Sequence, residues 1–142
     1  MMVGDKVIIP GKSLDGIHLE DNIGNIIDSL KEHYLVERAD GVVYLNNDEI
    51  LIGGEEDGSI YSVMCGKNFK GNYKNKLWAG MTVKDVLDNS NEQVAFGGCV
   101  VVDKIDGIGL PLPEGYDDFE RITDFLSLDF VFDYLSIFKK SF

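Results

Sequence analysis

The sequence predicts a single α+β domain: a mostly antiparallel sheet, two amphipathic helices packed on it, and a helical C-terminal region. Three observations lead there. Between 34 and 65, short β-like runs alternate with turn signals, the pattern of a meander. Ile23, Ile26, Ile27 and Leu30, and again Val83, Val86 and Leu87, fall at the spacing of one helix face. The length, 142 residues, is that of one domain with one core.

In chain order, 3–9 reads as a strand, with Val7, Ile8 and Ile9 stopped by Pro10-Gly11, and Leu14, Ile17 and Leu19 as a second short strand segment. Asp21 or Asn22 caps the first helix, placed at about 21–32 with its end near His33; Gly24 weakens it by about 1 kcal/mol relative to alanine. Strands follow at 34–38, 42–45, 49–52 and 59–65, separated by Asp40-Gly41, Asn46-Asn47-Asp48 and Glu56-Asp57-Gly58. After a polar loop at 66–76, Thr82 with Asp85 three residues on opens the second helix, at 82–89. Further β runs are read at 93–96, 99–102 and 105–112. At an offset of 60, Ile17, Ile23, Ile26, Ile27 and Asp28 align with Leu77, Val83, Val86, Leu87 and Asp88, which suggests an internal repeat of 14–65 and 74–112.

The last segment reads as helix. Asp117 or Asp118 caps a run carrying Phe119, Ile122, Phe125 and Leu126, and beyond Ser127 the residues Val131, Tyr134, Leu135 and Phe138 form one stripe. A strand competes, because Leu128, Phe130, Phe132 and Tyr134 also alternate.

The net charge of −12 narrows the partners. Nucleic-acid binding depends on Lys and Arg contacts to phosphate, so neither DNA or RNA nor an anionic membrane is the expected partner; a basic macromolecule is. The loop holding Lys67, Lys70, Lys74 and Lys76 beside Phe69, Tyr73 and Trp78 could stack on RNA, but a solvated loop is the plainer reading. The N-terminus shows no secretory pattern and no stretch is long enough to span a bilayer, so the expected location is cytoplasmic. Cys65 and Cys99 form no CxxC pattern; a disulfide between them is the alternative, and small buried hydrophobes are the plainer reading.

No catalytic, phosphate-binding or metal motif is present, and His18 and His33 have no ligand partner at metal spacing, so the expectation is a binding protein, not an enzyme, with no cofactor and no small-molecule substrate. Two acidic patches are the candidate partner-binding residues. Asp117, Asp118, Glu120, Asp124, Asp129 and Asp133 are interleaved with aromatics; Glu55, Glu56 and Asp57 lie in a turn. Carboxylates beside aromatics suit a protein interface, where aromatics anchor and charges select. Phe119, Phe125 and Phe130 themselves read more readily as core. An acidic enzyme with an unrecognised carboxylate site, or an adaptor whose acidity is incidental, are the alternatives.

The runs Ile8-Ile9-Pro10-Gly11-Lys12-Ser13-Leu14-Asp15-Gly16-Ile17, Lys76-Leu77-Trp78-Ala79-Gly80-Met81-Thr82-Val83-Lys84-Asp85-Val86-Leu87, Gly107-Ile108-Gly109-Leu110 and Asp117-Asp118-Phe119-Glu120 resemble small bacterial immunity proteins of contact-dependent growth inhibition and related polymorphic toxin systems. That resemblance implies a cytoplasmic inhibitor occluding the active site of one cognate toxin, a nuclease with a basic cleft, an EndoU-type RNase among the candidates. The strand–helix–strand units are similar to those of β-lactamase-inhibitory proteins, which also bind a protein. Immunity proteins share no universal binding motif, so the resemblance assigns no residue.

Overall fold

The computed structural model describes residues 3–116 and 118–140. Near the N-terminus, β1 (Ile8–Ile9), β2 (Ser13–Leu14) and β3 (Ile17–His18) form a three-stranded antiparallel sheet in that order. The strand expected over 3–9 is only two residues long, and the run expected from Leu14 to Leu19 is split. Asp15 and Gly16, both at positive φ (57° and 80°), turn the chain back on itself there.

Helix α1 (Ile23–His33) starts at Asn22, whose side-chain oxygen accepts the Gly24 N–H at 2.8 Å. Leu30 is fully buried, and Ile23, Ile26 and Ile27 pack against the core half-buried. A four-strand meander follows: β4 (Val36–Ala39), β5 (Val42–Leu45), β6 (Ile50–Gly54) and β7 (Ile60–Gly66). Helix α2 (Val83–Asn89) opens on a reciprocal cap. The Asp85 N–H donates to Thr82 Oγ1 at 3.1 Å and the Thr82 N–H to Asp85 Oδ2 at 3.0 Å. A second meander follows: β8 (Gln93–Phe96), β9 (Cys99–Val102), β10 (Ile108–Pro111) and β11 (Tyr134–Phe138).

The two meanders merge into one eight-stranded sheet, β4-β5-β6-β7-β11-β10-β9-β8, joined where β7 and β11 pair over Tyr134↔Gly66 to Phe138↔Ser62. Each half is therefore a helix and four antiparallel strands, with the last strands meeting at the centre and the first strands at the two edges. The correspondence extends to backbone bonds. Ile23 N–H donates to Gly58 O (2.8 Å) and Ile60 N–H to Asp21 O (2.9 Å), as Val83 N–H does to Phe130 O (3.0 Å) and Phe132 N–H to Met81 O (2.7 Å). Leu35 N–H donates to the Asn46 side chain and Glu92 N–H to the Asp103 side chain, both at 2.9 Å. Both acceptors sit in left-handed turns, Asn46-Asn47 and Asp103-Lys104. The second unit runs through β11, past the limit of 112 expected from sequence, because a long connection separates β10 from β11.

The helical C-terminal region does not form. One 3-10 turn, Ile122–Asp124, is followed by irregular chain and then β11. Val131, Tyr134, Leu135 and Phe138 satisfy a helical stripe, but the same segment alternates, and alternation wins because β7 offers it a partner. In β11, Leu135 and Ile137 point into the core opposite Cys65 and Val63, while Tyr134 and Phe138 lie on the other face.

Along the sheet, Val43, Leu45, Ile50, Ile52, Val63, Cys65, Leu135, Ile137, Ile108, Leu110, Val100 and Val102 form the covered face. The other face carries Tyr44, Leu51, Met64 and Ser136, with aromatic rings laid over glycines. A Cβ on Gly53 would come within 3.0 Å of the Tyr61 ring, and one on Gly66 would overlap the Asp48 carbonyl oxygen beneath Tyr134. Both cysteines are buried free thiols, and desolvation pushes Cys65 up to about 12 and Cys99 up to about 11.

Candidate protein-binding site

Of the nine acidic candidates, Asp117 lies outside the described residues. The others are exposed, and the structure places them in two corresponding positions, the connections between the third and fourth strands of the two units. In the first unit that connection is the turn holding Glu55, Glu56 and Asp57. In the second it is the chain from 112 to 133. The two patches are not brought together: Asp57 lies just before the start of β7 and Asp133 pairs with Lys67 just past its end, on opposite sides of the sheet's length.

The long connection is held from beneath. Ile122 and Leu126 are buried, Phe130 and Phe132 pack edge-to-face at 5.2 Å, and Phe132 is fully buried. Its backbone caps α2: Val83 N–H donates to Phe130 O and Lys84 N–H to Leu128 O, both at 3.0 Å. On the same connection Tyr116, Phe125, Leu128 and Val131 are exposed by 43%, 64%, 52% and 39%. Tyr116 and Phe125 meet at 5.8 Å between ring centres. Phe119 and Phe130 pack against the core as expected, but Phe125 does not. Without the expected helix no face turns Phe125 inward, and it projects from the chain just after the 3-10 turn.

The carboxylates divide by what they touch. Asp124 Oδ2 accepts the backbone N–H groups of Glu120 (3.2 Å) and Arg121 (2.9 Å), closing the 3-10 turn. Asp118 accepts the Phe119 N–H (2.8 Å), and Asp129 accepts the Ser127 hydroxyl (2.6 Å). Asp133 and Lys67 form an exposed ion pair at 3.3 Å. In the short turn, hydrogen bonds from the Ser59 hydroxyl and N–H hold the Asp57 carboxyl below the usual carboxylate range. Glu55, Glu56 and Glu120 have no side-chain partner among the described residues, so their charge is fully available to another molecule.

Glu55 and Glu56 also line a cleft of about 450 Å³ with Asp40, Arg38, Ile23 and Val43. At the lysine-rich loop, Phe69 is buried and Tyr73 and Trp78 pack against the core, so these rings do not stand clear as stacking platforms. Lys76 is tied to Asp103 at 2.5 Å.

Sequence reasoning missed a buried polar centre. Asp15, with no exposed surface, accepts the Lys6 N–H at 2.9 Å and a short hydrogen bond from the Tyr34 hydroxyl. Desolvation, then that bond, raises the Tyr34 hydroxyl well above its ordinary value. The partners are 19 residues apart and only the fold joins them. Among the described residues no group of three or more His, Cys, Asp or Glu side chains could hold a metal ion, and no helix is long and apolar enough to cross a membrane. No family model, curated protein or solved structure matches this chain.

Proposed function

We propose that this chain is an inhibitor of the immunity type, which binds a basic toxin domain of nuclease class and covers its active-site cleft. The observation that carries the reading is the connection between β10 and β11. There Asp118, Glu120, Asp124, Asp129 and Asp133 are exposed together with Tyr116, Phe125, Leu128 and Val131, on a segment pinned by Ile122 and Leu126. Aromatic and aliphatic anchors provide the desolvated centre of an interface, and carboxylates around them select Lys and Arg. Because Ile122 and Leu126 already hold the segment on the core, part of the ordering cost of binding is met before the partner arrives. The net charge of −12 adds long-range attraction to a basic cleft.

The test is affinity of the purified chain for the toxin domain encoded beside it, with rescue of cells expressing that toxin. Phe125→Ala should weaken binding by about 2 kcal/mol or more and reduce rescue, without loss of fold. If Phe125→Ala and Glu120→Lys together leave affinity and rescue at the parental level, this connection is not the interface. If the chain binds no basic partner and instead turns over a small substrate, the inhibitor reading is lost.

A further inference from the structure

We propose that β8 is a self-association edge, at which a second copy of this chain pairs antiparallel to make one sheet continuous across two molecules. This goes beyond the inhibitor reading and does not depend on it. Both β4 and β8 end the sheet, and an edge strand presents unpaired N–H and C=O groups to any strand of matching shape. The bond from Asp103 N–H to Glu92 O fixes the register of the β8–β9 hairpin, so Val94 and Phe96 bond to β9 while the backbone groups of Gln93 and Ala95 point outward. By the same logic, the bond from Asn46 N–H to Leu35 O turns the backbone groups of Val36 and Arg38 outward on β4.

The edges differ in what self-pairing would place together. Antiparallel pairing that satisfies every outward group puts the middle residue opposite its own copy, in a close pair that is not hydrogen-bonded. On β4 that residue is Glu37, so two carboxylates would face each other, and like charges directly opposite are destabilising. On β8 it is Val94, with Gln93 opposite Ala95 and Glu92 opposite Phe96 of the second copy, and no like charges meet. Val94 and Phe96 are exposed by 42% and 49% on the face opposite Val100 and Val102, and their apolar surface would be shared across the seam. The β8 edge carries no charge, proline or bulge within its four residues, the devices that keep edges apart. One open and one guarded edge give a closed pair; two open edges would give an unending chain of copies.

The seam is short, so the dimer is weak, and each copy brings a net charge of −12. Repulsion is screened by salt, so association should strengthen as salt rises, opposite to the expected behaviour of a basic partner. Sedimentation equilibrium of the full chain at low and high salt tests this, with circular dichroism to check fold. The parent should shift from 15.8 kDa toward twice that mass at high salt. Val94→Glu should weaken association by about tenfold or more, and Ala95→Pro, which removes an outward donor, should act alike if Val94→Glu fails to fold. Glu37→Val should extend the pair to larger assemblies. A parent that is monomeric at every salt concentration overturns the proposal, as does a dimer that a folded Val94→Glu or Ala95→Pro leaves intact. A Glu37→Val chain that stays dimeric overturns the guarding role given to Glu37.

Discussion

The first unit, α1 with β4–β7, and the second, α2 with β8–β11, have the same connectivity and matching backbone bonds, yet differ most between their third and fourth strands. A short turn with Glu55, Glu56 and Asp57 stands where the second unit has an irregular connection with exposed aromatics. The scaffold is what the halves share, and the candidate binding surface is where they diverge, as expected when loops carry specificity on a rigid frame. The comparison also separates structural carboxylates from available ones. Asp57 and Asp124 each close a turn in their unit, while the side chains of Glu55, Glu56 and Glu120 have no partner among the described residues.

The largest effects should come from the residues that lead into the two central strands. Ile60 and Phe132 correspond: each accepts a backbone bond from the segment before its helix, from Glu20 at 2.8 Å and Gly80 at 2.7 Å, and each is fully buried. Phe132→Ala should cost about 3–5 kcal/mol and Ile60→Ala about 2–5 kcal/mol. Chemical denaturation measures both. If the halves fold as one cooperative unit, both variants should lower a single transition; two separate transitions would show that β7 and β11 do not couple them.

These two positions also show what the sequence could and could not reveal. The strands of the first meander were legible because each run ends in a local turn pair and alternates within itself. The pairing of β7 with β11 was not, since it joins segments about 70 residues apart and nothing within 128–138 distinguishes a helical stripe from an alternating one. The acidic patches were legible as composition. Their division into turn-closing and free carboxylates depends on backbone N–H positions that only the fold supplies.

Next in size is the buried centre where Asp15, in the turn between β2 and β3, meets Tyr34 at the end of α1. Tyr34→Phe removes a donor from the buried Asp15 carboxylate and should cost about 1–3 kcal/mol. Because folding raises the Tyr34 hydroxyl above its unfolded value near 10, its contribution is fully present below about pH 10 and is lost as pH rises further. The thiols behave likewise from about pH 8.5, with Cys65 pushed up to about 12 and Cys99 to about 11. Stability should therefore fall with alkali, and less steeply in Tyr34→Phe. An unchanged slope in that variant would mean that Tyr34 ionises as freely in the folded chain as in the unfolded one.

A smaller effect is expected where the second unit's connection is closed. Asp124→Ala leaves the Glu120 and Arg121 N–H groups without their carboxylate and should cost about 1 kcal/mol. It should also loosen Phe125 and so lower partner affinity indirectly. Asp124→Asn, which keeps an acceptor oxygen, should recover most of both losses. If Asn restores stability but not affinity, the charge of Asp124 itself reaches the partner.

The smallest effect should come from Glu55 and Glu56, and it is the one that decides which unit binds. Their side chains are exposed and have no partner among the described residues, so Glu55→Lys and Glu56→Lys should leave the unfolding midpoint unchanged. They lie at the far end of β7 from Asp133, away from the aromatic anchors, and would act on a basic partner mainly through the field of the whole molecule. Such charges alter the rate of encounter more than the lifetime of the complex, and their influence fades as salt shortens the screening length to about 8–10 Å and below. Stopped-flow association at low salt should slow by a few-fold in the double variant, converge with the parent at high salt, and show no change in dissociation rate. A faster dissociation rate would reverse the assignment. It would mean that the partner seats a Lys or Arg in the cleft between Glu55, Glu56 and Asp40, making the short turn of the first unit the interface and the long connection of the second its periphery.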